Sequence, residues 1–270
     1  MSIGTPVVNA PNLYINGLGI SWVSATELQV AVGICRDSTN QNDISVGLPL
    51  NVAQTGTGEE PVAAGSGPVI INVAVQGAGG LDTGTIAVST VYGVYALGDS
   101  MNVNLGSAIL SASQSAPLIP YGYDMYRLIG YATTDGSGNL LLGYWSAGNS
   151  SLRTFTYDAP IATSVTAGAA TSYTGVDLTE FVPAVDGTSV SVAYSFLPGN
   201  AAGDALYLQG YNSTGDAVKI TGQVTSVHMT GNATVLAQLY SGAPEIKYKV
   251  TSASSSEAAA LNVASYTVSL

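Results

Sequence analysis

The sequence has little charge and few of the side chains that perform chemistry. Its 270 residues include one His, one Cys, and six Lys plus Arg against 17 Asp plus Glu, so charged residues make up only 9%. Average globular proteins contain roughly 25% charged residues. So few charges must solvate a chain with 46% hydrophobic residues and a mean hydropathy of +0.31. We therefore expect part of the apolar surface to lie against other copies of the chain.

These shortages argue against several kinds of site and partner. Cys35 has no second cysteine, and one Cys with one His cannot supply the roughly four ligands of a structural zinc site. The net charge of −11 opposes nucleic acid, whose phosphates are bound by Lys and Arg. The longest apolar stretch, residues 69–75, is far shorter than the roughly 20 residues of a membrane-spanning helix. We expect no cofactor, no metal, no nucleic acid and no membrane partner.

The first cationic residue is Arg36, so the amino terminus lacks the basic region of a secretory signal peptide. We therefore expect the chain to be made and folded in a cytoplasm.

What the chain does contain is the alternation typical of β-strands. In its C-terminal part, Val190, Val192, Tyr194 and Phe196 alternate with Ser and Ala, which gives a pleated strand one apolar face. Comparable segments follow between turn residues, at 205–211, 217–224, 233–240, 246–250 and 261–270. Six or seven short strands at this spacing predict a β-sandwich or jelly roll of about 100 residues.

The N-terminal part is also predicted to be β. Its strand candidates are residues 27–35, 85–97, 125–134, 140–145 and 152–157. The Gly-rich residues 135–139 predict a hairpin between the third and fourth of these.

The remaining segments suggest how the chain is divided. Residues 55–67 are predicted to be an exposed loop, and residues 161–172 a linker or a loosely patterned strand. Residues 256–260 are the one weak helix candidate. We therefore predict an all-β protein with two β domains. Residues 1–160 would form the N-terminal β domain, and residues 161–270 would form the β-sandwich or jelly roll.

Two motifs raise the question of catalysis. Residues 82–84 read Asp-Thr-Gly, the tripeptide of aspartic proteases, in which two Asp side chains share a proton. The protease Asp follows a buried apolar strand, whereas Asp82 follows a Gly-rich stretch, so a turn is the favoured interpretation. His228 cannot form a catalytic triad unless the fold brings a Ser and a carboxylate to it. We predict no catalytic residues and no enzyme activity.

The densest aromatic cluster lies between residues 121 and 145. Tyr and Trp combine a large contact area with a polar group, so this cluster suggests either a subunit interface or a carbohydrate-binding patch. We favour the interface. Arg127 is expected to pair with a carboxylate, Asp124 or Asp158. The predicted interface residues are Tyr121, Tyr123, Tyr126, Arg127, Tyr144 and Trp145.

Five blocks of sequence follow one another in a defined order and spacing. They are residues 33–40 (GICRDSTN), 80–84 (GLDTG), 91–95 (VYGVY), 121–130 (YGYDMYRLIG) and 134–139 (TDGSGN). This pattern resembles that of structural proteins of tailed bacteriophages, described as tail fibre or virion proteins, and it covers roughly residues 12–160. Where that pattern usually has two Arg before Ile-Gly, this chain has Arg127-Leu128.

The resemblance implies a non-enzymatic virion protein, made in the host bacterial cytoplasm and assembled as a homo-oligomer with virion proteins. Residues 1–160 would then serve particle attachment or oligomerisation. We expect a homotrimeric capsid decoration, cement or head-fibre protein that contacts the major capsid protein. The chain is short, it has no visible shaft sequence, and an acidic exterior suits a shell facing away from packaged DNA. The alternative is a tail fibre or receptor-binding protein whose aromatic tract contacts host surface glycan. A third class, a polysaccharide depolymerase or protease, has weaker support because its acid–base candidates are not clustered.

Overall fold

The computed structural model describes residues 14–47, 67–102, 105–146, 152–199, 203–214, 218–222, 227–251 and 258–270. These residues form eighteen β-strands and no helix, which confirms the all-β prediction. In chain order, the strands are β1 (Ile15–Gly17), β2 (Ile20–Ser24), β3 (Glu27–Val30), β4 (Gly33–Arg36), β5 (Asp43–Val46), β6 (Val69–Asn72), β7 (Val91–Gly98), β8 (Ser107–Ser111), β9 (Met125–Thr133), β10 (Gly143–Trp145), β11 (Leu152–Ala162), β12 (Thr174–Asp177), β13 (Thr188–Leu197), β14 (Ala205–Gly210), β15 (Val218–Thr221), β16 (Met229–Tyr240), β17 (Ala243–Val250) and β18 (Ala258–Ser269).

One large antiparallel sheet carries most of the strands. Its order is β15-β14-β17-β16-β13-β18-β11-β10-β2-β3-β6, and β12 pairs with β17 beside this path. Two three-stranded antiparallel sheets, β1-β4-β5 and β8-β7-β9, pack against its N-terminal portion. Neighbours in these sheets are often far apart in the chain, so long-range pairing determines the fold.

The C-terminal strands form a sandwich-like arrangement. Strand β16 joins its two layers, since residues 229–237 pair with β13 and residues 238–240 pair with β17. The apolar faces of β13 and β18 look across at those of β14 and β17, with Phe196, Leu208, Ile246 and Leu261 buried between them. The alternation that predicted these strands therefore corresponds to one buried and one outward face.

The N-terminal strands enclose a second buried cluster. Strand β7 lies at its centre, and all eight of its residues are buried. One face of β7 packs against β1 to β6, while Tyr95 and Leu97 on the other face are covered by side chains from residues 123–128. Because β7 is buried on both faces, it carries a continuous run of apolar and small residues.

The predicted strands mostly exist, but several boundaries differ. The segment predicted at 27–35 is two strands, β3 and β4, and the one at 85–97 begins only at Val91. The helix candidate at 256–260 is wrong in its described part, because β18 begins at Ala258. The loop predicted at 55–67 lies outside the described residues except for Gly67. Residues 252–257, which include the first two residues of the helix candidate, lie outside them as well.

Of the predicted hairpin over residues 125–145, the loop forms, but the two strands do not pair with each other along their length. The loop closes as expected, with Asp135 N–H donating to the Asn139 carbonyl at 2.8 Å and one bridge between Thr134 and Leu140. Beyond that bridge, β9 pairs with β7, and β10 pairs with β11 and β2. The two strands diverge because each has a partner in a different sheet.

Strand β11 lies across the predicted domain boundary near residue 161. It pairs with β10 on one side and with β18 on the other. Its register against β18 shifts between Thr156 and Ile161, so residues 157–160 form an irregular bulge rather than a break between strands. The division into two domains stays a prediction, with one sheet continuous across the boundary.

Candidate functional site

The three predicted tyrosines around the start of β9 lie in different environments. Tyr121 belongs to a turn, and its side chain is fully exposed, at 105%. Tyr123 and Tyr126 are half-buried and cover the small apolar cluster that contains Tyr95. The rings of Tyr126 and Tyr95 meet edge to face, with centroids 6.0 Å apart. Of these three tyrosines, Tyr121 offers by far the most surface to another molecule.

Tyr144 and Trp145 on β10 border a shallow pocket. The Tyr144 hydroxyl donates a hydrogen bond to the Asp158 carboxylate at 3.2 Å, which raises the pKa of Tyr144. The Trp145 indole N–H donates to the Tyr131 carbonyl at 3.1 Å, and its ring lies 5.1 Å from that of Phe155. The pocket has a volume of about 200 Å³ and is lined by Ile20, Ser21, Trp22, Leu142, Gly143, Tyr144 and Trp145.

The predicted aromatic residues do not form a single surface. Trp145 contacts β9 at Tyr131, whereas Tyr121 lies in the turn before Met125. A strand advances about 3.3 Å per residue, so these two ends of β9 are roughly 20 Å apart. The exposed positions are therefore two separate places, one at Tyr121 and one at the pocket beside Tyr144.

Arg127 lies in the interior, and the prediction that it pairs with Asp124 or Asp158 is wrong. Its side chain is 7% exposed, and Nη2 donates to the main-chain carbonyl of Leu270 at 3.0 Å. Asp124 precedes the strand and accepts hydrogen bonds from the Ser100 N–H, at 2.7 Å, and from the Ser100 hydroxyl. Arg127 points to the core face of β9, so its nearest acceptor is main chain rather than a surface carboxylate.

Arg153 is a buried cation that the sequence interpretation did not identify. The residue is only 2% exposed, and burial lowers the pKa of its guanidinium. Nη1 donates to the carbonyls of Leu18, at 3.0 Å, and Ile129, at 3.2 Å, while Nη2 donates to the Gly17 carbonyl at 2.9 Å. The available signal was its alternation with Phe155 and Tyr157, which places Arg153 on the apolar face of β11.

The connection from β7 to β8 and the connection from β8 to β9 expose large apolar side chains. We call Met101, Leu118 and Tyr121 the exposed loop surface; their exposures are 92%, 63% and 105%. The loops are fixed rather than free. Asp124 binds the Ser100 N–H, and the Asp82 carboxylate accepts the Leu118 N–H at 2.9 Å.

The Asp-Thr-Gly motif has a structural use. Asp82 does not cap a local turn, because its carboxylate accepts the N–H of Leu118, 36 residues later. Its own N–H donates to the Leu110 carbonyl at 2.8 Å. Asp82 therefore fastens the segment before β9 to the edge of β8.

His228 lies close to a serine but does not complete a catalytic triad. Its Nδ1 lies 3.2 Å from the Ser195 hydroxyl oxygen in an exposed position. In Ser-His-Asp triads, the serine meets Nε2, and the carboxylate holds Nδ1. Here the serine occupies the nitrogen that the carboxylate would need, so the pair lacks the orienting acid.

Other reactive groups are similarly committed to structure. The Cys35 thiol is buried, and burial raises its pKa to about 12, so the thiol remains protonated at neutral pH. Within the described ranges, no group of three or more His, Cys, Asp and Glu side chains could hold a metal ion.

The same part of the chain contains no helix that is long and apolar enough to cross a membrane. Among known proteins, no protein-family model matches this chain, and no curated protein matches it either.

Proposed function

We propose that the chain is a non-enzymatic structural protein of a tailed-bacteriophage virion. In this proposal it forms homotrimers on the particle surface as a capsid decoration, cement or head-fibre protein. Its partners are further copies of itself and the major capsid protein or another virion protein. It is made in the cytoplasm of the host bacterium and acts on the assembled particle.

The exposed loop surface is the observation that carries this proposal. Met101 and Tyr121 leave almost their entire side chains in water, and Leu118 leaves most of its own. Large exposed apolar patches mark interaction sites. Because Asp82 and Asp124 fix both loops, this surface is preorganised for a partner and loses little conformational freedom on binding.

The use of carboxylates in the loops also supports a structural role. Asp37 accepts hydrogen bonds from the main-chain N–H groups of residues 41 and 42, and Asp135 from those of residues 137 and 139. Asp82 and Asp124 each accept a main-chain N–H from another loop. These four carboxylates order loops, as expected of a rigid particle component.

The pocket beside Tyr144 favours a second candidate, a tail fibre or receptor-binding protein that contacts host surface glycan. The pocket is shallow and bordered by the rings of Trp22, Tyr144 and Trp145. Aromatic rings with a polar edge suit the mixed apolar and hydroxyl faces of a sugar.

Light scattering on the purified chain tests the oligomeric part of the proposal. We expect a mass about three times the 27.3 kDa of the chain at micromolar concentration. A monomer under these conditions would contradict both virion placements. Cryo-electron microscopy of the intact particle then distinguishes a capsid location from a tail location.

A matched pair of leucine variants tests which surface holds the trimer together. Leu118→Ser removes an apolar side chain from the exposed loop surface, and Leu236→Ser removes one of similar exposure, 56%, from β16. We expect only the first to increase the fraction of monomer. Equal effects, or an effect of Leu236→Ser alone, would show that the trimer uses another surface.

A further inference from the structure

All three lysines of the chain stand on one outward face of the layer formed by β12, β17, β14 and β15. Strand pairing sets Lys249 beside Tyr207, and Tyr207 beside Lys219. Tyr173, the residue before β12, extends the same row past Lys249. Their neighbours Leu206, Leu208, Tyr248 and Val250 point into the core. A row of alternating aromatic and cationic side chains therefore crosses four adjacent strands.

The side chains of this row are in contact. The Lys249 ammonium lies 4.6 Å from the centre of the Tyr173 ring and 4.8 Å from that of Tyr207. The Lys219 ammonium lies 5.7 Å from the Tyr207 ring centre. Separations below about 6 Å allow cation–π attraction, which holds each ammonium group beside an aromatic surface.

A second group continues the pattern along β17. The Lys247 ammonium lies 4.2 Å from the Tyr211 ring centre, and the Tyr211 and Tyr240 rings stack with centroids 4.2 Å apart. Gly175 lies opposite Lys247 on β12. A Cβ at Gly175 would come within 2.8 Å of a Glu245 carboxylate oxygen, so the Glu245 side chain fills the space over this glycine. We call these residues the Lys–Tyr face: Tyr173, Tyr207, Tyr211, Tyr240, Lys219, Lys247 and Lys249.

None of these lysines forms an ion pair with a described carboxylate, although Lys247 lowers the pKa of Glu245, which stands on the same face of β17. The described residues contain one ion pair, Arg36 with Asp43 at 2.8 Å, and it lies in the N-terminal strands. The nearest acid along β17 is Glu245, whose pKa is raised by burial and by Asp177. Half of the six cationic residues of a chain with net charge −11 are thus gathered beside tyrosine rings that are half-buried or, at Tyr240, exposed.

We propose that the Lys–Tyr face binds an acidic polysaccharide. The tyrosine rings offer flat surfaces for the C–H faces of sugar rings, and the lysines between them attract carboxylate or phosphate groups. The alternation of ring and charge across β12, β17, β14 and β15 matches a polymer in which charged and neutral sugar positions alternate.

Charge density favours a glycan over nucleic acid as the occupant. A nucleic acid carries a phosphate on every nucleotide, and the acidic remainder of this chain repels such a dense charge. A glycan in which charged and neutral sugars alternate carries its charges further apart, so three lysines can match them while the neutral sugars stack on tyrosine. This inference goes beyond the proposed function and does not depend on it, since the face belongs to a single copy of the chain.

Binding of purified full chain to defined polymers tests the proposal. The probes are hyaluronate and chondroitin, in both of which charged and neutral sugars alternate, fully methyl-esterified hyaluronate and single-stranded poly(dT), each measured by calorimetry at two salt concentrations. We expect both acidic glycans to bind, with affinity falling as salt rises, and the esterified polymer to bind at least about tenfold more weakly because its carboxylates are masked. Failure of both acidic glycans to bind, equal binding of the esterified polymer, or tighter binding of poly(dT) would each overturn the proposal.

Matched variants locate the binding. An exposed ion pair contributes little, so we expect Lys249→Gln to weaken hyaluronate binding about two- to fivefold and the triple lysine-to-glutamine variant at least about tenfold. Lys249→Arg should retain binding. Arg36→Gln removes one cation elsewhere and should bind like the unaltered chain, whereas Tyr207→Leu should bind about tenfold more weakly. Normal binding by the triple variant would place the glycan away from this face.

Discussion

Replacing Arg153 with alanine removes a cation that joins three strands inside the protein. Its guanidinium donates three hydrogen bonds to main-chain carbonyls, one at the end of β1, one in the connection between β1 and β2 and one on β9. The bonds link residues 135, 136 and 24 positions apart in the sequence. The substitution therefore tests whether a buried charge held only by carbonyl groups stabilises this fold.

The expected loss follows from the number and kind of these bonds. Hydrogen bonds to charged groups contribute about 1.5–3 kcal/mol each, which gives roughly 5–9 kcal/mol for three. Removing the cation also removes its desolvation penalty, which is several kcal/mol. We expect Arg153→Ala to lower the free energy of unfolding by about 3–5 kcal/mol, a large part of the roughly 5–15 kcal/mol typical of a domain.

Urea unfolding followed by circular dichroism measures this loss, provided that the slope of the transition is unchanged. Arg153→Met fills most of the volume without donating hydrogen bonds, so it should be nearly as destabilising as alanine. Arg36→Ala removes one member of an exposed ion pair and should cost at most about 1 kcal/mol. A loss below about 1 kcal/mol for Arg153→Ala, or full stability of Arg153→Met, would refute the hydrogen-bond explanation.

Two further predictions concern carboxylates that order loops. Burial raises the pKa of Asp37, but hydrogen bonds from the Thr39 hydroxyl and from residues 41 and 42 outweigh it and lower the pKa overall. The stabilisation is therefore complete above the unfolded pKa of about 3.9 and is lost as pH falls through the lower folded pKa. Unfolding at several pH values should show Asp37→Asn less stable than the unaltered chain by about 1–2 kcal/mol at pH 7, with the gap closing below pH 4; a constant gap would contradict this. Asp82→Asn keeps an acceptor for the Leu118 N–H and should cost less than about 1 kcal/mol, whereas Asp82→Ala should cost about 1–2 kcal/mol. Loss of a pepstatin-sensitive cleavage activity in Asp82→Asn would instead establish a catalytic role.

The sequence predicts strands best where one face is buried and the other is exposed. Strand β13 shows this, because Val190, Val192 and Phe196 are buried while the serines between them are not. Strand β7 is harder, since both faces are buried and the pattern gives no period. The sequence predicts that this strand begins at residue 85. In the structure, the Ala87 N–H donates a hydrogen bond to the Tyr92 hydroxyl, and residues 85–90 stay irregular.

The partners of each strand could not be predicted from local pattern. Asp135 closes its loop as the sequence indicates, yet β9 and β10 leave that loop for different sheets. The sequence shows that Lys247 and Lys249 share one face of β17. Tyr207 lies beside Lys249 only because β14 pairs with β17. Arg153 could be placed on an apolar face from its spacing, whereas its carbonyl acceptors come from residues far away in the chain.

The insertion of β18 between β11 and β13 makes folding depend on closing a long loop. The hydroxyls of Thr154 and Thr267 lie 2.7 Å apart across β11 and β18, although 113 residues separate them in sequence. Folds dominated by such distant pairings form slowly, because the loop entropy is lost before the contacts are gained. Until β18 docks, β11 and β13 each present an open edge to which a strand from another copy can add. Correct assembly therefore requires β18 to reach its place within its own chain before a neighbouring copy takes that place.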